Sequence, residues 1–287
     1  TDHAVVGWGD PGLPDLHGMY WSSSNDFTEA MYYRLAQAVS FSNSFIKNAS
    51  EISGDEVNVF IAEARFLRAY AYYNLLDLYG NVPLTTEITT ELPTQSNRTE
   101  LFNFIESELM DIESTLLASN EYGRVDNIAA HALLSRLYLN AEAWTGQDRY
   151  ADCVTYSQNV INSGYTLNMN DANGNGTAYD ELFLADNDVN GAQNEFIFTL
   201  NFDGMQSQTY GGTTFLVHAA IGGSMNPGNF GVNGGWGGLR TTKNLVNQFT
   251  VDIDALNSSL GSQSDWGLVG SATPNGWNGP DVEMYQT

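Results

Sequence analysis

Basic side chains are scarce in this chain: ten Lys and Arg stand against 34 Asp and Glu, a formal charge of −24. A field of that sign repels phosphate backbones and gains nothing at an anionic membrane surface, so nucleic acid is excluded as a partner. Cysteine is almost absent. Cys153 alone allows neither an intrachain disulfide nor a cysteine-based zinc site, and its helical surroundings (ADCVTYSQNVI) suit a small buried side chain. No apolar run is long enough to span a bilayer, and the N-terminus carries no signal-peptide pattern. Thr1 is not an initiating Met, so a processed chain or a fragment is expected. The four histidines (His3, His17, His131, His218) form no metal-ligand pair, and no G-x-S-x-G elbow occurs. Carboxylates are so abundant that no particular pair stands out as a glycosidase dyad, so nothing here argues for an enzyme.

What the chain does contain is helical periodicity. Asp26 to Lys47 repeats apolar residues at three- and four-residue steps. Ser53 and Glu56 carry a capping-box signature for a second helix ending at Tyr79, with Gly80 as its C-terminal stop and Pro83 close behind. On that helix Phe60, Ala64, Leu67, Ala71, Leu75 and Leu78 form one apolar stripe, while Arg65, Arg68 and Asp77 read as internal ion-pair and capping groups. Asn97 and Glu100 repeat the capping pattern, and two more helices are expected at 126–144 and 148–163. Helices paired by short turns make the fold class mainly α, a tetratricopeptide-repeat-like α-solenoid. The scaffold is assigned to 26–164 and a loop-rich binding region to 1–25 and 165–287, within a single domain spanning 1–287. In that second region EFIFTLN (195–201) alternates like a short strand, and glycines crowd 204–238 into what read as loops.

Three short motifs invite chemistry. Gly7-Trp8-Gly9-Asp10-Pro11-Gly12 matches G-x-G-x-x-G, but Pro14 and Gly18 interrupt the helix a dinucleotide site needs, so it reads as a loop. Asp171, Asn173, Asn175 and Gly176 begin like a calcium loop; the closing position is Leu182 and Glu181 falls one residue early. Calcium at Asp171, Asn173 and Asn175 is thus a weak expectation beside a plain Asx turn. The third is LHGMYWSSSN (16–25), where Tyr20 and Trp21 precede a polar turn, with Trp8 and Asp10 upstream. An aromatic face flanked by amide and carboxylate suits a sugar, whose C–H face packs on the ring while its hydroxyls pair with polar groups. Equally, Trp21 could pack on the helices and Asn25 or Asp26 could cap one.

Four blocks then point to a family. Residues 63–84 (EARFLRAYAYYNLLDLYGNVPL), Tyr122-Gly123-Arg124 with AAHALLSRLYL, Ile161-Asn162-Ser163-Gly164-Tyr165, and Trp236-Gly237-Gly238-Leu239-Arg240 with Lys243-Asn244-Leu245-Val246 occur in the family's order. Through them the chain resembles the SusD/RagB-like outer-membrane lipoproteins of Bacteroidetes. The resemblance implies a non-catalytic, surface-exposed lipoprotein that binds oligosaccharide and caps a SusC-like TonB-dependent transporter; some relatives take peptides. It carries the ligand role to Trp21 and Asn25, which with His17 match the family's H-x-x-x-W-x-x-x-N spacing, and secondarily to Trp8 and Asp10; Tyr20 joins the candidates from its place beside Trp21. Trp266 or Trp277 is the candidate for a second aromatic. The lipidated cysteine and the C-terminal helices of the family are not in this sequence, so the lipid anchor is inferred. The alternative function is a helical-repeat adaptor, or a peptide-binding lid, that contacts protein.

Overall fold

The computed structural model describes residues 3–184, 186–202, 210–230 and 232–248, with two strands at 263–268 and 282–285. In chain order the main elements are β1 (Ala4–Val6), α1 (Leu13–Gly18), α2 (Asp26–Ala49), α3 (Asp55–Tyr79), β2 (Val82–Pro83), β3 (Gln95–Ser96) and α4 (Arg98–Ile112). There follow α5 (Asn127–Leu139), α6 (Ala141–Thr145), α7 (Tyr150–Ile161), α8 (Gly212–Ala220), β4 (Leu239–Thr241), α9 (Lys243–Val246), β5 (Gln263–Leu268) and β6 (Val282–Tyr285). Two compact units result, one of residues 30–201 and one of 1–29 with 202–287.

The helical unit is built from antiparallel neighbours, α3 against α4 and α5 against α7. Leu101, Ile105, Leu109 and Ile112 on α4 recur at steps of four and three, which puts them on one face, and all are buried. Leu134, Leu137 and Tyr138 of α5 close the same core. On α3 the buried face runs through Ala62, Phe66, Ala69, Tyr72, Tyr73 and Leu76, whereas Leu67 and Leu78 of the expected stripe are exposed. Apolar residues lie all round that helix, so periodicity alone does not choose a side; the neighbouring helices do. The buried tyrosines find partners, as burial requires. The Tyr72 hydroxyl donates to the Thr85 carbonyl at 3.0 Å and accepts from the Thr85 N–H at 2.8 Å. Tyr138 donates to Glu106 at 2.8 Å.

Caps divide the helices much as the sequence suggests, with one exception. The Asn97–Glu100 box forms reciprocally, at 2.9 and 3.0 Å. The Ser53–Glu56 box does not: Gly54 is the N-cap, in an extended left-side conformation (φ 151°), and α3 starts one residue later than the box would set it. Asn140 interrupts the 126–144 helix, leaving α5 and the short α6. Residues 165–201 group with the helices rather than with the binding loops. Tyr165 donates to Asp126 at 2.7 Å, and the Phe198 ring meets Phe66 and Tyr70 at centroid distances of 5.3 and 5.8 Å. EFIFTLN therefore forms no strand; Ile197 and Phe198 pack side by side on the helical core, while Leu200 stays exposed.

In the other unit, β1 and β4 pair antiparallel with Val5 opposite Arg240. The glycine-rich stretch is not all loop, since residues 212–220 fold into α8. The N–H groups of Trp236, Gly237 and Gly238 donate to the carbonyls of His218, Ile221 and Ala219 at 2.7, 2.8 and 3.0 Å. Those carbonyls end α8 and would otherwise lack partners. Of the C-terminal strands, β5 pairs antiparallel with β6.

Candidate functional site

The LHGMYWSSSN stretch forms a tethered turn. Gly12 opens α1 with φ 88°, and Pro14 sits in its first turn, where the missing N–H costs nothing. A helix thus does start after G-x-G-x-x-G, but it has only six residues. Met19 ends it in the left-handed region (φ 62°), the one such non-glycine among the described residues, and its N–H and that of Tyr20 return to Leu16 and Asp15. Past this reversal Met19, Tyr20 and Trp21 are all exposed, at 73%, 65% and 46%. The Tyr20 ring folds over Gly18, where a Cβ would come within 2.0 Å of it. Ser22 and Ser24 share a 2.9 Å hydrogen bond just beyond.

Asn25 fixes the far end of the turn, and here the structure reassigns a residue. Its Oδ1 accepts from the N–H groups of Phe27 and Thr28 at 3.1 and 3.3 Å, and its Nδ2 donates to the Gly12 carbonyl at 2.9 Å. Buried and committed on both ends, Asn25 is the α2 cap rather than an open ligand group. Asn25→Ala is expected to cost about 1 kcal/mol of stability, the worth of a cap, measured by thermal unfolding.

Trp8 is likewise engaged in packing. Its ring lies 5.9 Å from Phe215 and 6.4 Å from Trp236, and its indole N–H reaches the Trp236 carbonyl at 3.4 Å. Trp236 in turn stacks on His218 at 5.0 Å and touches the exposed Tyr210. Asp10 and His17 are exposed. Trp277 lies outside the described residues, as do the surroundings of the Trp266 side chain. Of the site residues expected from the sequence, the open aromatic ones are therefore Tyr20 and Trp21, with Met19 beside them. The sequence reading missed Met19, whose only signal was its place between Gly18 and an aromatic pair.

The 171–181 loop turns its oxygens inward. Asp171 accepts from the N–H groups of Gly174, Asn175 and Gly176, at 2.8 to 3.0 Å, and the Asn173 and Asn175 amides donate to Asp180. Glu181, fully buried, accepts from the Asn173 N–H and the Asn190 amide at 2.8 and 2.9 Å. Hydrogen bonds from Asn173 and Asn175, against a smaller opposing effect of burial, hold Asp180 below the ordinary carboxylate range. Asp171, Asn173 and Asn175 all take part in this Asx-turn network. Among the described residues, no three His, Cys, Asp or Glu side chains converge as metal ligands.

The helical unit also holds a cavity of about 470 Å³, bordered by the Tyr122-Gly123-Arg124 turn, Tyr165 and residues 193–199. Burial, reinforced by the hydrogen bond to Asp126, holds the Tyr165 phenol well above its ordinary range, so it stays a neutral donor.

Against this geometry, a family model described as "Starch-binding associating with outer membrane", of SusD-like type, matches residues 17–139. The starch-binding protein SusD of Bacteroides thetaiotaomicron is 34% identical over 258 residues, 88% of this chain and 45% of that protein. A SusD-like protein of Bacteroides fragilis superposes with a TM-score of 0.69 at 24% identity, over 87% of this chain and 47% of that one. A protein crystallised with a xylogluco-oligosaccharide superposes with a TM-score of 0.71 at 20% identity, over 91% and 52%. The structural likenesses establish the fold. The chain spans about half the length of the relatives it matches.

Proposed function

The chain belongs to the SusD-like family, and from that premise we propose that it is a non-catalytic, surface-exposed glycan-binding protein of the outer membrane. In this reading it captures oligosaccharide on Tyr20 and Trp21, with Asp10 as a polar partner, and delivers it to a SusC-like TonB-dependent transporter. The observation that carries it is the exposed aromatic pair on a turn pinned at both ends, by the α1 reversal at Met19 and by the Asn25 cap. A turn already held in place loses little freedom when a sugar lands on it, which is where binding free energy is otherwise spent. The relatives' names supply the ligand class: starch for one, a xylogluco-oligosaccharide for another.

Isothermal titration with maltoheptaose, xyloglucan oligosaccharides and laminari-oligosaccharides tests the site. Trp21→Ala is expected to weaken whichever one binds by tenfold or more, about 1.4 kcal/mol, with the unfolding temperature unchanged because the ring is exposed. Undiminished binding would refute it.

A second reading, a protein-contacting helical scaffold, is favoured by Met31, Tyr33, Phe41 and Phe45 of α2, exposed at 48%, 61%, 67% and 45%. Exposed apolar side chains in such number mark a contact surface. Capture of the transporter by a protein that binds no saccharide would favour it over glycan capture.

A further inference from the structure

We propose that the cavity in the helical unit is a second, independent saccharide site, taking one or two rings of a neutral glycan; the ligand class rests on the reading above. Its volume of about 470 Å³ falls within the span of small-molecule sites. Its chemistry narrows the occupant. Arg124 is already paired with Glu63 at 2.8 Å, and its guanidinium lies 5.1 Å over the Phe60 ring, so the one cation on the wall is compensated. Glu121 adds an exposed negative charge, and the chain's field is strongly negative, so an anionic ligand is repelled.

What is left open on the walls is neutral. Among the described residues, the hydroxyls of Ser119, Tyr122 and Thr166 make no internal hydrogen bond, and all three side chains are exposed at the rim. Gln193 spends its carbonyl on the Gly191 N–H at 2.7 Å, which leaves its amide N–H groups for a ligand. The Tyr122 ring, 42% exposed, and the half-buried Phe196 supply apolar faces. Unspent hydroxyl and amide groups beside aromatic faces match a sugar's own pattern of polar edge and C–H face. The deeper polar groups are not available. Asp126 caps α5 through the Ala129 N–H at 2.9 Å and receives the Tyr165 hydroxyl at 2.7 Å, which fixes the floor rigidly.

The test is backbone-amide NMR titration of the intact chain with maltotriose, cellotriose and xylotriose. At least one is expected to shift amides of 119–124, 164–166 and 193–199 saturably, with a dissociation constant in the millimolar range. Tyr122→Ala should weaken that binding about fivefold, the contribution of one ring contact. Thr166→Trp should abolish it by filling the cavity from its rim, and both variants should unfold at the wild-type temperature. Trp21→Ala should leave these shifts intact while removing those at 19–25, so either site can fail without the other. No saturable shift at the cavity with any of the three sugars, or shifts that survive both cavity variants, would overturn the proposal.

Discussion

Glu108→Leu is expected to lower the unfolding free energy of the helical unit by about 3–5 kcal/mol, the cost of breaking a buried ion pair from one side. The carboxylate, on the core-facing side of α4, bridges two arginines of α3. Arg65 donates to it at 2.8 Å and Arg68 at 2.5 Å. Arg68 also donates to Asn43 of α2 at 2.7 Å, so three helices meet at one guanidinium. Arg65 is tied to Asp111 at 2.6 Å as well, and although burial opposes its charge, the hydrogen bonds to Glu108 and Asp111 raise its pKa on balance. Without Glu108 the loss falls on Arg68, which is buried and whose Nε already has no hydrogen-bond partner among the described residues. The double variant Arg68→Met with Glu108→Leu should recover much of the loss, because it removes the stranded charge as well. Urea denaturation followed by far-ultraviolet circular dichroism gives both numbers. A loss below about 1 kcal/mol for Glu108→Leu would mean the network is solvated and contributes as little as a surface pair.

That network shows what the sequence carries and what it withholds. Arg65 and Arg68, one turn apart on a helix with apolar residues all round, read as internal ion-pair groups, and both pair with Glu108, Arg68 buried and Arg65 partly so; Asp77, read with them, is exposed. Their partner was not legible, because the chain offers 34 carboxylates and nothing local singles out Glu108. Helix existence was readable wherever period and caps agreed, as at Asn97 and Glu100. It was less readable for α8, since glycines on both sides of TTFLVHAA disguised nine helical residues. EFIFTLN misled for a related reason: alternation reports a surface buried on one side, not whether strands or helices bury it. At the candidate site, spacing brought out Trp21 and Asn25 together, but residues four apart need not share a role. One stands in solvent and the other holds the turn that presents it. The cavity beside Tyr122 was out of reach, because its walls come from segments some seventy residues apart that only the packing of 193–199 brings together.

Gly238→Ala is expected to destabilise the unit containing β1 and β4 by about 3 kcal/mol, the upper part of the range for overpacking. A Cβ at this position would stand 1.8 Å from Cε2 of Trp8 and 2.2 Å from Cζ2, so the indole must leave its place. It has nowhere to go without loss. Phe215 and Trp236 hold it through ring contacts, and the backbone on both sides is tied, with Gly7 N–H donating to the Gly238 carbonyl at 2.6 Å and Gly238 N–H to Ala219 at 3.0 Å. The glycine is therefore required by a side chain more than two hundred residues away in sequence, and the two form one packing device. Trp8→Leu in the Gly238→Ala background should restore at least about 1 kcal/mol relative to the sum of the single variants, since a smaller side chain frees the space. Thermal unfolding of the four proteins of the cycle measures that coupling. Strict additivity would show that Trp8 relaxes freely around a methyl group, and Trp8 would then return as a ring that a ligand could recruit.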